Sequence, residues 1–114
     1  MKRTSREGRF AERMLAGVDD AGEEERMVLW IERRPGAVWV AGRSVNPQLR
    51  ESDDPRPEDV IFEGYELEEA LAHANEALED DVTVLERDGR AVDVRPFTRK
   101  EVLPRLERWF FGRG

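Results

Sequence analysis

Residues 27–42, MVLWIERRPGAVWVAG, restrict the fold more than any other stretch of this chain. Two runs rich in Val, Ile and Trp flank Pro35-Gly36. Such side chains suit a pleated, half-buried surface, so the stretch reads as a β-hairpin. A Pro-Gly pair favours a type II turn, whose twist fits a two-residue hairpin poorly. A longer loop starting at Arg33 or Arg34 is therefore expected, with the register open. Alternation puts Met27, Leu29 and Ile31 on one face and Val28, Trp30 and Glu32 on the other. The second strand divides Val38 and Val40 from Ala37, Trp39 and Ala41. One face is core. The other is read as carrying two tryptophans, Trp30 and Trp39, which makes it either a covered face or a binding surface.

The rest of the chain supplies partners for that hairpin. Upstream, Phe10, Met14 and Leu15 stand at near-helical spacing, so residues 5–16 read as a short helical arm stopped by Gly17. The run DDAGEEE (19–25) reads as a linker, which gives an arm and linker over 1–25 and one domain over 26–114. Residues 44–58 hold three prolines and no periodicity, the mark of a long loop, and DVIFEGY (59–65) reads as a third strand. ELEEALAHANEALEDD (66–81) is the clearest helix, with Leu67, Ala70, Leu71, Ala74, Ala77 and Leu78 on one stripe. VTVLERDGRAVDVRPF (82–97) reads as a second hairpin turning at Asp88-Gly89. It echoes the first closely enough to suggest a duplicated ββα unit, although chance resemblance between Arg-rich hairpins explains it equally well.

The last element starts at Thr98. Thr98 and Glu101 fit a capping box, and Phe97 and Val102 take the places of a hydrophobic staple. Pro104 is expected to kink this helix. Continued to the end, the helix places Trp109 and Phe110 on its buried stripe and leaves Phe111 at the edge, beside Gly112. The sum is an α+β single domain in the order αβββαββα. It has a largely antiparallel sheet of about five strands, two helices packed on one face and the short N-terminal helical arm.

Composition narrows the function classes. A 114-residue chain suffices for one core. Zero cysteines remove disulfides, thiolate metal sites and cysteine nucleophiles. No apolar run approaches a membrane span, and the start, MKRTSREGRF, lacks the apolar stretch of a secretory signal, so a cytoplasmic location is expected with no membrane partner. His73, the one histidine, has Glu69 and Glu76 one turn away on either side, a pattern that reads as a solvated helix face rather than a metal site. The acidic loop 51–59 lacks calcium-loop spacing. No phosphate-binding glycine motif or nucleophile elbow is present. Catalytic residues, metal ligands and cofactors are thus all expected to be none, and enzymatic activity is not expected.

Two binding readings remain. The aromatic surplus favours a protein–protein interaction or regulatory module whose partner is another protein or a second copy of itself. Trp30, Trp39, Arg43 and Phe111 are its candidate contact residues. The alternative is a single-stranded nucleic-acid or small-ligand module that stacks on Trp30 and Trp39, with arginines for phosphates. The net charge of -7 argues against nucleic acid, since such binders show a dominant basic footprint.

Overall fold

The computed structural model of the chain describes residues 8–18, 20–52 and 55–104. The first hairpin forms where expected, as strands β2 (Glu24–Arg34) and β3 (Val38–Val45). Arg34 pairs with Val38, so the loop is the three residues Pro35, Gly36 and Ala37, with Gly36 and Ala37 both in left-handed backbone. An antiparallel strand β4 (Val60–Gly64) follows the loop at the expected place and pairs with β3.

The expected N-terminal helical arm is corrected. Residues 9–18 form strand β1 (Arg9–Val18), which pairs antiparallel with β2 along its length, giving the order β1-β2-β3-β4. Ala11, Glu12, Arg13, Met14, Leu15 and Ala16 are good helix formers. However, a helix this short is marginal on its own, and propensity is a weak prior against tertiary pairing. Pairing with β2 gives β1 a hydrogen-bonded ladder on its inner edge and sends Leu15 into the core.

The second hairpin is corrected too, and with it the count of about five strands and the order αβββαββα. Helix α1 (Leu67–Arg87) runs straight through the Val82-Thr83-Val84 segment. Its buried stripe of Ala70, Leu71, Ala74, Leu78, Asp81 and Leu85 keeps a spacing of three and four to the end. Three β-branched residues cost a helix roughly 1.5 kcal/mol relative to alanine. Burying Leu85 returns about 2 kcal/mol, and the helix wins. Gly89 then closes it at a φ of 86°. Arg90 N–H donates to Leu85 C=O and Gly89 N–H to Glu86 C=O, both at 3.0 Å. This is a Schellman cap. The Asp-Gly pair supplies the left-handed residue that a hairpin turn also needs, here spent on ending a helix.

Residues 90–98 then run without strand or helix, and a second helix, α2, is described over 99–104. Thr98 Oγ1 accepts from the Glu101 N–H at 3.3 Å, and the staple residues Phe97 and Val102 are both buried, as the sequence predicts. Asn75 on α1 grips Phe97 through both amide atoms, accepting from its N–H (2.8 Å) and donating to its carbonyl (3.0 Å). From β1, the Arg13 guanidinium donates to the carbonyls of Arg95 and Pro96 and makes two bonds to Glu101, at 2.7 and 2.9 Å. It also lies over the Phe97 ring, 4.5 Å from the centroid. The fold is thus an α+β domain: a four-stranded antiparallel sheet with α1, the 90–98 segment and α2 packed on one face. Among the described residues no helix is long and apolar enough to cross a membrane.

Candidate functional site

Cross-strand partners point to the same side of a sheet, so the register sorts every strand residue by face. One face presents Leu15, Met27, Leu29, Ile31, Trp39 and Ala41, which join α1, Phe97 and Val102 in a single buried cluster. This helix face is closed. The open face presents Glu12, Met14, Ala16 and Val18 on β1, and Arg26, Val28, Trp30 and Glu32 on β2. Val38, Val40, Gly42 and Ser44 continue it on β3.

Trp30 pairs with Gly42, whereas Trp39 pairs with Arg33. The two tryptophans therefore lie on opposite faces, and the two-tryptophan surface expected from alternation does not form. An odd-numbered loop is the reason: three loop residues pair even positions of β2 with even positions of β3, and Trp30 and Trp39 differ in parity. Trp39 is buried in the main cluster, edge-on to Phe10 at 5.7 Å and under the Arg33 guanidinium. Trp30 is 0% exposed. Its indole lies across Gly42, where any Cβ would overlap ring atoms, and the Arg9 guanidinium covers it at 4.4 Å. Its N–H donates to Glu32 (3.1 Å), which also accepts from Arg34. Both indoles are thus spoken for within the chain.

Arg43 sits on the helix face. It donates twice to Asp81 of α1, at 2.7 and 2.8 Å, and fastens that helix to β3. The hydrogen bonds it donates to Asp81 outweigh its desolvation and raise its pKa further, so it is a permanent cation. Phe111 lies outside the described residues, as do Trp109 and Phe110.

Residues 46–52 and 55–59 of the loop partly roof the open face over β3. Asp59 is its anchor: it accepts from Ser44 Oγ (3.0 Å), from Arg56 N–H (3.0 Å) and twice from Arg50 (2.7 and 3.1 Å). Burial by itself would raise the Asp59 pKa. The bonds from Arg50, Arg56 and Ser44 more than offset it and hold the carboxyl below its usual range.

Among the described residues, the roof stops short of β1. Met14 is 61% exposed and Val18 47%, with Ala16 exposed between them and Val28, the cross-strand partner of Met14, half-buried. Where the roof ends, a shallow hollow of about 180 Å³ opens between Pro47 and the side chains of Glu12, Met14, Arg26, Val28 and Ser44. Glu12 and Arg26 flank the Met14–Val28 pair from opposite ends. Glu12 is paired at 2.8 Å with Arg9, whose side chain is largely buried over Trp30, and Arg26 at the surface with Glu24 at 3.0 Å. The β1 residues of this patch carry the period-two pattern of a half-buried strand. Reading the stretch as a helix hid it.

A second, open groove of about 670 Å³ runs along the outer side of α1 against Val94 and Pro96. Two of its polar side chains are engaged elsewhere, Asn75 holding Phe97 and the His73 ring stacking on Phe62 at 4.9 Å, while Glu76 and Glu79 line its wall. Among the described residues no group of His, Asp and Glu is placed to hold a metal ion. Comparison with protein families, with curated proteins and with solved structures gave no match to this chain.

Proposed function

We propose that this chain is a non-enzymatic, cytoplasmic protein–protein interaction or regulatory module, and that it binds through the uncovered β1 half of its sheet. The observation that carries the reading is the exposure of Met14, Ala16 and Val18 along one strand face. The same strand buries Leu15 on the other side. Contiguous apolar surface with a polar rim is what partners cover. Here the rim is Glu12 on one side and Arg26 on the other. The nucleic-acid or small-ligand alternative loses its motivation, because two buried tryptophans on opposite faces give bases no stacking platform.

A photo-crosslinking residue placed at Met14 in the source cell tests the proposal, with Val84 on the outer side of α1 as the control position. The reading predicts a discrete covalent adduct from position 14 and none from position 84. The absence of an adduct at position 14 would refute it.

A further inference from the structure

We infer that the partner is a second copy of the chain, joined through the outer edge of β1. The two β1 strands pair antiparallel about a two-fold axis that passes through the sheet at Leu15, so that two four-stranded sheets become one continuous sheet. The inference rests on the interaction reading above and specifies its partner. Its basis is the direction of the backbone groups. Asn46, just after β3, accepts from the Arg26 N–H at 2.9 Å through Oδ1 and donates its own N–H to the Arg26 carbonyl at 2.7 Å. Arg26 therefore turns its backbone toward β3 and away from β1. Opposed residues of an antiparallel pair either bond each other or both turn away. Ala16, across from Arg26, thus turns its N–H and C=O outward, and alternation gives Glu12, Met14 and Val18 the same direction. The Glu12 carbonyl takes a bond from the Arg13 guanidinium at 3.0 Å. Among the described residues, no strand meets the outward groups of Met14 and Ala16.

The two edges of the sheet are unlike. β4 is five residues long, short enough to blunt its edge. β1 has ten residues, no proline, and no charge from Met14 to Val18. A long edge of this kind is a template for another strand. The strand that fits must turn out its backbone at alternate positions over the same length, and β1 itself does so. Centred on Leu15, the pairing sets Glu12 opposite Val18 of the other copy and Met14 opposite Ala16. It uses all four outward residues of each copy. Met14 lies beside a small side chain, and the exposed Met14, Ala16 and Val18 of both copies form one apolar band on the open face.

The helix face selects the same register. Arg13 carries residues 95–101 above it. Centring the axis on Arg13 would set those two segments, and two guanidinium groups, against each other. Centring it on Leu15 moves the two Arg13 residues four positions apart along the strands, about 13 Å, and one strand spacing, about 5 Å, across. Strands add sideways, so residues 46–52 and 55–59 stay over their own sheet and nothing enters the space above either open face. No ion pair is broken: Glu12 keeps Arg9, which remains over Trp30, and Arg26 keeps Glu24. The contact is a narrow strip beside the roughly 800 Å² per partner of a stable interface. Association is therefore weak and depends on concentration.

Sedimentation equilibrium and amide hydrogen exchange on the full chain, over a hundredfold concentration range, test this. The apparent mass of the wild type is expected to climb from 13.2 kDa toward twice that value. Over the same range the Met14 and Ala16 amides slow about tenfold in exchange, while those of Arg13 and Leu15, bonded to β2, are protected throughout. Ala16→Pro removes an outward N–H and no bond to β2. It is expected to hold the chain at the monomer mass with an unchanged thermal melt. Met14→Lys places a charge on the bare edge and weakens association about tenfold. Three results overturn the inference: a wild type that stays monomeric, a dimer whose Met14 and Ala16 amides exchange as fast as the monomer's, or a folded Ala16→Pro chain that still dimerises. The exchange pattern reads the wild type and decides the question if Ala16→Pro fails to fold. A monomer that still crosslinks another protein from position 14 removes the second copy and leaves the interaction reading standing. A monomer with no crosslink removes both.

Discussion

Gly42 sets the position of Trp30 by lacking a side chain. The indole lies flat where a Cβ would be, and its rigid ring has nowhere to retreat under Arg9 and beside Glu32. Gly42→Ala is expected to destabilise the fold by about 1–3 kcal/mol, the range for overpacking a filled site, as measured by denaturant unfolding. Asp59 works by charge. Its carboxyl pKa is held below the ordinary value by Arg50, Arg56 and Ser44, so its contribution to stability is present at neutral pH. That contribution is lost as pH falls below about 4 and through the depressed value. Asp59→Asn is expected to cost about 2 kcal/mol at pH 7, and the gap to wild type should close in acid. A gap that persists unchanged at pH 2–3 would mean that the carboxylate charge is not what holds the loop.

The elements show where sequence legibility stopped. The β2–β3 hairpin, β4, the body of α1 and the Thr98 start were all legible, because each carried its own local signal: β-branched runs, a turn, an apolar stripe, a cap. Two elements were not. Residues 9–18 have helix-forming composition and became a strand because β2 offers pairing. Residues 82–87 have strand-forming composition and stayed helical because Leu85 continues the stripe onto the sheet, against Gly17. In each case a tertiary contact outweighed a propensity of a few tenths of a kcal/mol per residue. The sign of one substitution tests the second correction. Thr83 is exposed, so Thr83→Ala should stabilise a helix by about 0.5 kcal/mol and would destabilise a strand. Arg13 tests how the C-terminal segment is fastened. Its side chain is only 12% exposed beneath residues 95–101. Arg13→Met should cost about 2–3 kcal/mol and deprotect the amides of 97–104 in hydrogen exchange before those of β2. Equal deprotection throughout would contradict this.

For the whole molecule, the governing fact is unequal cover. Among the described residues, α1, residues 90–98 and α2 close one face of the sheet, while residues 46–52 and 55–59 cover part of the other, over β3 and up to β2, and leave Met14, Ala16 and Val18 of β1 exposed. The candidate site was only partly legible for this reason. The aromatic residues Trp30 and Trp39 drew attention and proved to be packed inside, while the exposed patch is built from Met14, Ala16 and Val18, residues too ordinary to stand out. Coverage is a property of the assembled layers, and no local pattern announces it. Methyl NMR across a dilution series, in the intact chain, tests the interaction surface most directly. On concentration the Met14, Val18 and Val28 methyl signals should shift together, while those of Leu85 and Val102, buried on the helix face, stay fixed. If Met14 and Val28 hold still while methyls on the outer side of α1 move, the surface has been placed on the wrong side of the sheet.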